Sequence, residues 1–167
     1  METIAVYYES NIKTYGIDQR TGLSMLSLLL PLSAFGRENH SLFRAASDAG
    51  DLLLAFARPA TGGGLRLHLL FEGRPSWHLL EEFSEASHDS SPSGLRVDAE
   101  VELVYLQGPH FGDRYGIADA AFRALGKESI PVLAAACTGA SIYLVVPKQT
   151  AEKAKKALSG TFIVPGA

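Results

Sequence analysis

The densest set of chemically useful side chains in this sequence lies in one loop, Gly108-Pro109-His110-Phe111-Gly112-Asp113-Arg114-Tyr115-Gly116. It holds a carboxylate, a guanidinium, an imidazole and two aromatic rings between glycines, and helical spacing begins just after it. The backbone N–H groups of a helix start, at the positive end of the helix dipole, suit a carboxylate ligand. Asp113 can pair with an ammonium. An amino acid carries both charges, so its pocket needs both an anion and a cation or N–H cluster. The plainer use of the same residues is local, with Asp113 capping the loop and pairing with Arg114. Gly36-Arg37-Glu38-Asn39 also offers both signs of charge and is the competing position.

Other reactive groups lack the company that chemistry requires. Cys137 precedes Thr138-Gly139, but an activated thiol needs a neighbouring base or a strongly positive site, and no histidine is close in sequence. It reads as a small buried thiol at a strand end. The five histidines, His40, His68, His78, His88 and His110, show no metal-ligand spacing. His78 adjoins Trp77, and one of the two is expected to face solvent. Ser33 and Ser41 lie near His40 and Asp48 without the Gly-x-Ser-x-Gly frame of a hydrolase. Gly62-Gly63-Gly64 lacks the flanking Lys and helix of a phosphate loop, so no kinase half is expected. With no convergent nucleophile, base and orienting group, no catalytic activity is expected, and no motif calls for a cofactor or metal.

Bulk properties narrow the partners. The 167 residues are 47% hydrophobic and 20% charged, which suits a globular chain with a real core. A net charge of −3 and a pI near 5.9 provide no basic field for nucleic acid. One cysteine forms no internal disulfide, and no secretory leader pattern opens the chain, so the cytoplasm is the expected compartment. Apolar stretches such as Leu28–Leu32 are too short for a bilayer, and no membrane partner is expected.

The elements that must position these groups follow from periodicity. Thr3–Tyr8 and Ile12–Ile17 are extended segments ahead of a first module, placed where they can cap a sheet edge. Leu23–Leu32 reads as a buried strand and Asn39–Gly50 as a capped helix with Leu42, Phe43, Ala46 and Ala49 at helical spacing. Leu52–Ala57 and Leu65–Phe71 form a hairpin around the triple glycine. Ser76 caps a helix in which Trp77, Leu80 and Phe83 share one face, and Leu95–Val97 closes the module. His88–Gly94 is the best linker. The order then repeats. Val101–Leu106 alternates as a half-buried strand, and Asp119–Gly126 is a helix with Ala120, Ala121, Phe122, Ala124 and Leu125. Val132–Ala136 and Ile142–Val146 are strands. Thr150 caps a helix burying Ala151, Ala154, Ala157 and Leu158, with Lys153, Lys155 and Lys156 facing water, and Phe162–Val164 ends the module.

Two βαββαβ copies, over 1–94 and 95–167, give an α+β fold of two ferredoxin-like modules, each with an antiparallel sheet and both helices on one face. The bare apolar sheet faces imply association, most simply a homodimer.

The second half resembles the ACT domain of aspartokinase regulatory regions. The resemblance rests on Val101–Gly108 followed by Gly112, on Tyr115-Gly116-Ile117-Ala118, Phe122-Arg123-Ala124-Leu125 and Ser129-Ile130-Pro131-Val132, then on Ser141–Val146 and Ala151-Glu152-Lys153-Ala154 with Ala157-Leu158 and Phe162. It covers residues 95–165. Residues 20–94 share only the pattern, and Leu30–Gly36 stands where the family usually has Asp-x-Pro-Gly. The resemblance implies a regulatory unit with a small amino-acid effector held at an ACT–ACT interface, and a biosynthetic enzyme as partner. It places that effector between the loop and the following strand. The implied ligand residues are Gly108, His110, Phe111, Gly112, Asp113, Arg114, Tyr115, Gly116 and Ile117, with Ile130 and Val132 opposite. The other reading is an interaction module that kept the fold and lost the effector.

Overall fold

A computed structural model describes residues 12–31, 44, 51–61, 63–86, 95–109 and 111–164. In chain order the elements are β1 (Ile12–Lys13), β2 (Gly16–Pro31), β3 (Leu52–Ala60), β4 (Gly64–Glu72), α1 (Trp77–Ala86), β5 (Leu95–Gln107), α2 (Ile117–Lys127), β6 (Ala134–Cys137), β7 (Ser141–Pro147), α3 (Ala151–Ser159) and β8 (Phe162–Ile163). The segments read from sequence as Thr3–Tyr8, the helix Asn39–Gly50 and the linker His88–Gly94 lie outside the described residues, apart from a helical Arg44.

Compactness divides the chain into Gly22–Val101 and a discontinuous unit of Met1–Thr21 with Glu102–Ala167. The linear repeat divides it at 94/95 instead. The difference has a physical origin. β1 pairs in parallel with β8 through Ile12↔Phe162, and the Thr14 N–H donates to the Ile163 carbonyl at 2.9 Å, so the early residues pack with the end of the sequence. Ile12–Ile17 is therefore part of this unit and not a cap on the first module.

In Gly22–Val101, β4 pairs antiparallel with both β2 and β3. Alternating residues of β2 (Leu26, Leu28, Leu30) and β4 (Leu67, Leu69, Phe71) form the core with Leu79 and Phe83 of α1. Ser76 caps α1, its Oγ accepting the Leu79 N–H at 3.3 Å. The buried face of α1 is Leu79 and Phe83, one turn apart, while Trp77 is 74% exposed beside an exposed His78. The expected Trp77 face is thus wrong. Trp77 occupies the first helical position, where no earlier turn of helix brings it against the sheet.

In the discontinuous unit, β7 lies between β5 and β6, and β6 pairs antiparallel with β7. Val104 and Leu106 of β5 and Ile142, Leu144 and Val146 of β7 face Ile117, Ala121, Ala124 and Leu125 of α2 and Ala151, Ala154 and Leu158 of α3. Both helices thereby cover one side of the sheet, as the βαββαβ pattern requires. Ile17, Phe111, Ile130 and Phe162 complete this core, whereas Phe122 stays 43% exposed.

Two expected boundaries fail. Leu95–Val97 and Val101–Leu106 are one strand, β5, continuous through Asp98-Ala99-Glu100 even though Glu100 has φ of 60°. Likewise β2 runs through Gly22, whose φ of 72° is a conformation glycine adopts without Cβ strain. Nor is Val101–Leu106 half-buried, since Val101 through Val104 are all buried, Glu102 included.

Candidate functional site

The loop after β5 is anchored at its base. The Gly108 N–H donates to the Ala140 carbonyl at 3.2 Å. A Cβ at 108 would fall 2.6 Å from the Lys13 carbonyl oxygen and overlap the Phe111 ring, so only glycine fits. Phe111 turns inward and its ring sits 6.2 Å from that of Phe162 at 53°. Gly112 abuts the β6–β7 turn, where an added Cβ would lie 3.1 Å from the Gly139 carbonyl oxygen. Beyond this point the loop faces outward. Asp113 is exposed, Arg114 is half-buried and Tyr115 is fully exposed. Asp113 and Arg114 each already take part in a polar, charged or ring contact of the chain. His110 lies outside the described residues, as do Arg37 and Glu38 of the competing loop and Ser33, Ser41, His40 and Asp48.

The loop delivers the chain into α2 through Gly116, whose φ of 83° sets the turn. No side chain caps this helix start. The first i to i−4 bond of the helix runs from the Ala120 N–H to the Gly116 carbonyl at 2.9 Å, so the N–H groups of the preceding turn have no partner within the helix. Asp119 in that turn accepts from Arg123 Nε at 2.8 Å.

The start of α3 is treated differently. Glu102, buried in β5, accepts the Thr150 N–H at 3.0 Å and the Ala151 N–H at 2.7 Å through one carboxylate oxygen. The Thr150 hydroxyl, read from sequence as the cap, donates to the Pro147 carbonyl instead. A carboxylate thus fills one helix start of this unit from within the chain. Sequence reasoning missed Glu102. The available signal was an acidic residue inside an otherwise apolar strand, but nothing local says which helix it reaches.

The opposing residues are committed to structure. Ile130 is buried in the same core as Phe111 and Ile117, with Val132 packed against it, and the Ile130 N–H donates to the Leu125 carbonyl at 3.0 Å. The structure therefore gathers Phe111, Ile117, Ile130 and Val132 as core and turns Gly112 through Gly116 outward. Cys137 ends β6 as expected but is exposed and not buried, and partial desolvation raises its thiol pKa, which weakens it as a nucleophile. Among the described residues no three His, Cys, Asp or Glu side chains converge on a common point, and no helix is long and apolar enough to cross a membrane.

Residues 104–162, which span β5 to β8 and include the whole loop, match the family described as ACT domain. This region is similar to an ACT domain. The chain as a whole shares the fold of solved aspartokinase regulatory regions. It covers 89% of its own length and 97% of a chain in the structure of aspartokinase alpha and beta subunits, at 16% identity and a TM-score of 0.69. The ligand-free regulatory subunit of aspartate kinase from Thermus thermophilus is matched over 89% of this chain and 97% of that one, with 13% identity and a TM-score of 0.68. The aspartate kinase of Clostridium acetobutylicum is matched over 95% of this chain but 37% of that longer one, at 17% identity and a TM-score of 0.73. No curated protein matches the chain by sequence. At these identities the likeness to solved structures is one of fold.

Proposed function

We propose that this chain is a non-catalytic regulatory or sensor module that binds a small amino acid through its ACT domain. The ligand's carboxylate sits at the start of α2, and Asp113 and Arg114 supply the complementary charges. The observation that carries this reading is the contrast between the two helix starts. Glu102 fills the one at α3, whereas the one at α2 has no side-chain cap and opens beside the outward-facing Gly112–Gly116. Gly108, Phe111, Ile117, Ile130 and Val132 are the framework of this site, holding the loop against the core, and His110 of the same loop is a further ligand contact. A second ACT unit, supplied by a homodimer partner, completes the pocket, and a biosynthetic enzyme in the cytoplasm reads the bound state.

A thermal-unfolding screen against the twenty amino acids tests the proposal. A ligand at a hundredfold excess over its Kd should stabilise the protein by about 2.7 kcal/mol by mass action. Sedimentation measures whether the protein is a dimer. If no amino acid shifts unfolding, the reading that the fold survives only as an interaction module replaces this one. The missing Asp-x-Pro-Gly at Leu30–Gly36 favours that second reading for the first half of the chain.

A further inference from the structure

A second charged feature lies on the sheet of Gly22–Val101, independent of the loop after β5. The β3–β4 register sets Arg58 directly opposite Arg66. Residues directly opposite in an antiparallel pair share a face, with Cβ atoms about 4.5–5.5 Å apart, and like charges there repel. Arg58 is exposed and Arg66 half-buried. Two residues along each strand, on the same face, Phe56 stands opposite His68, and His68 stands opposite Ser27 of β2. His68 is buried, its ring centroid is 5.4 Å from that of Phe56, and its Nδ1 lies 2.8 Å from the Ser27 hydroxyl. The arginine pair therefore lies two residues along the strands from a buried imidazole, on the same face of the sheet.

The electrostatics agree with this placement. Burial, then Arg58 and Arg66, hold the His68 pKa below the usual imidazole value, while Asp98 acts in the opposite direction. Asp98 is itself bound to Arg96 at 2.6 Å. Among the described residues no ion pair joins Arg58 or Arg66 to a carboxylate. Two adjacent positive charges in this setting are destabilising unless an anion offsets them.

We propose that Arg58 and Arg66 together bind a small doubly charged oxyanion, a phosphate or a phosphomonoester. Each guanidinium presents a planar donor fork that matches phosphate oxygens, and two forks on one face match the charge of a dianion. A single carboxylate would neutralise only one of them. With a net charge of −3, the chain lacks the basic field that an extended polyanion requires.

The test follows the His68 ring protons of the full chain by NMR while inorganic phosphate is added, against chloride at matched ionic strength. The expected result is saturable phosphate binding with the His68 pKa moving upward, since the anion offsets the two arginines. In Arg58→Gln/Arg66→Gln the phosphate affinity should fall about tenfold or more, the loss of charge-assisted hydrogen bonds. Arg58→Gln alone, at the exposed position, provides the same readout if the double variant does not fold. A sugar phosphate bound more tightly than inorganic phosphate assigns the site to phosphomonoesters, and equal binding assigns it to the free ion. Phosphate and chloride acting alike on His68, or equal phosphate binding in wild type and the variant, would overturn the proposal.

Discussion

Replacing Glu102 with alanine should unfold the start of α3 more severely than any change to Thr150, the residue that sequence rules nominate as its cap. Glu102 is 8% exposed and gives one carboxylate oxygen to two backbone N–H groups at 3.0 and 2.7 Å. Losing a helix cap costs about 0.5–2 kcal/mol, and hydrogen bonds to a charged group contribute roughly 1.5–3 kcal/mol. The site is buried, so the orphaned N–H groups regain water poorly, and a loss of about 2–3 kcal/mol is expected for Glu102→Ala. That corresponds to a fall in Tm of roughly 4–12 °C for a chain of this size. Glu102→Gln keeps an acceptor oxygen but removes the charge, and should lose about half as much. Thr150→Ala removes only the bond to the Pro147 carbonyl and should cost about 1 kcal/mol or less. Urea unfolding followed by circular dichroism gives the ranking, and amide exchange at Thr150 and Ala151 localises it. If Thr150→Ala equals or exceeds Glu102→Ala, the argument that a strand carboxylate caps this helix is refuted.

Three further outcomes are expected. The folded His68 pKa lies below its ordinary value of 6.5, so the unfolded chain binds the extra proton as pH falls through that value. The stability contributed by a neutral His68 is therefore fully present above pH 6.5 and lost as pH drops from there toward the folded pKa; urea midpoints across this range should flatten in His68→Gln. Gly108→Ala should destabilise by about 2–3 kcal/mol through the collision with Phe111 and the Lys13 carbonyl, whereas Gly126→Ala, in open space within α2, should stabilise by about 0.5–1 kcal/mol in denaturant titrations. Asp113→Ala and Arg114→Ala should each weaken amino-acid binding by about 1–3 kcal/mol in calorimetric titration, and unchanged affinity in both with loss in Arg37→Ala would move the site to the first half of the chain.

Much of the ACT-like region was legible because its signals are local. Helical spacing in Ile117–Lys127 and Ala151–Ser159 and the apolar run Ser141–Pro147 each specify their element within a few residues. The failures arise where distant contacts override a local sign. Gly22 and Asp98-Ala99-Glu100 look like breaks, yet β2 and β5 pass through them because neighbouring strands continue the hydrogen bonding on either side. Glu102 looks like the solvent side of an alternating strand, and it is the α3 backbone that pulls it inward. Trp77 looks like core by composition, but the start of a helix does not face the sheet. At the candidate site, sequence located the loop, while Phe111 and Ile130 proved to be its foundation and not its lining, a distinction only packing makes.

The discontinuous unit also sets an order of events on the ribosome. Gly22–Val101 is contiguous and has its partners as soon as it emerges. Ile12–Thr21 cannot find Glu102–Val164 until the rest of the chain has been made, and closing so long a connection carries an entropic penalty that grows with the logarithm of its length. Until then Ile17 and Thr14 wait without the core and the carbonyl groups that later enclose them. The unit that carries the loop after β5 therefore closes only after Gly22–Val101 has been made, and a fragment that stops short of β8 lacks the strand that β1 pairs with.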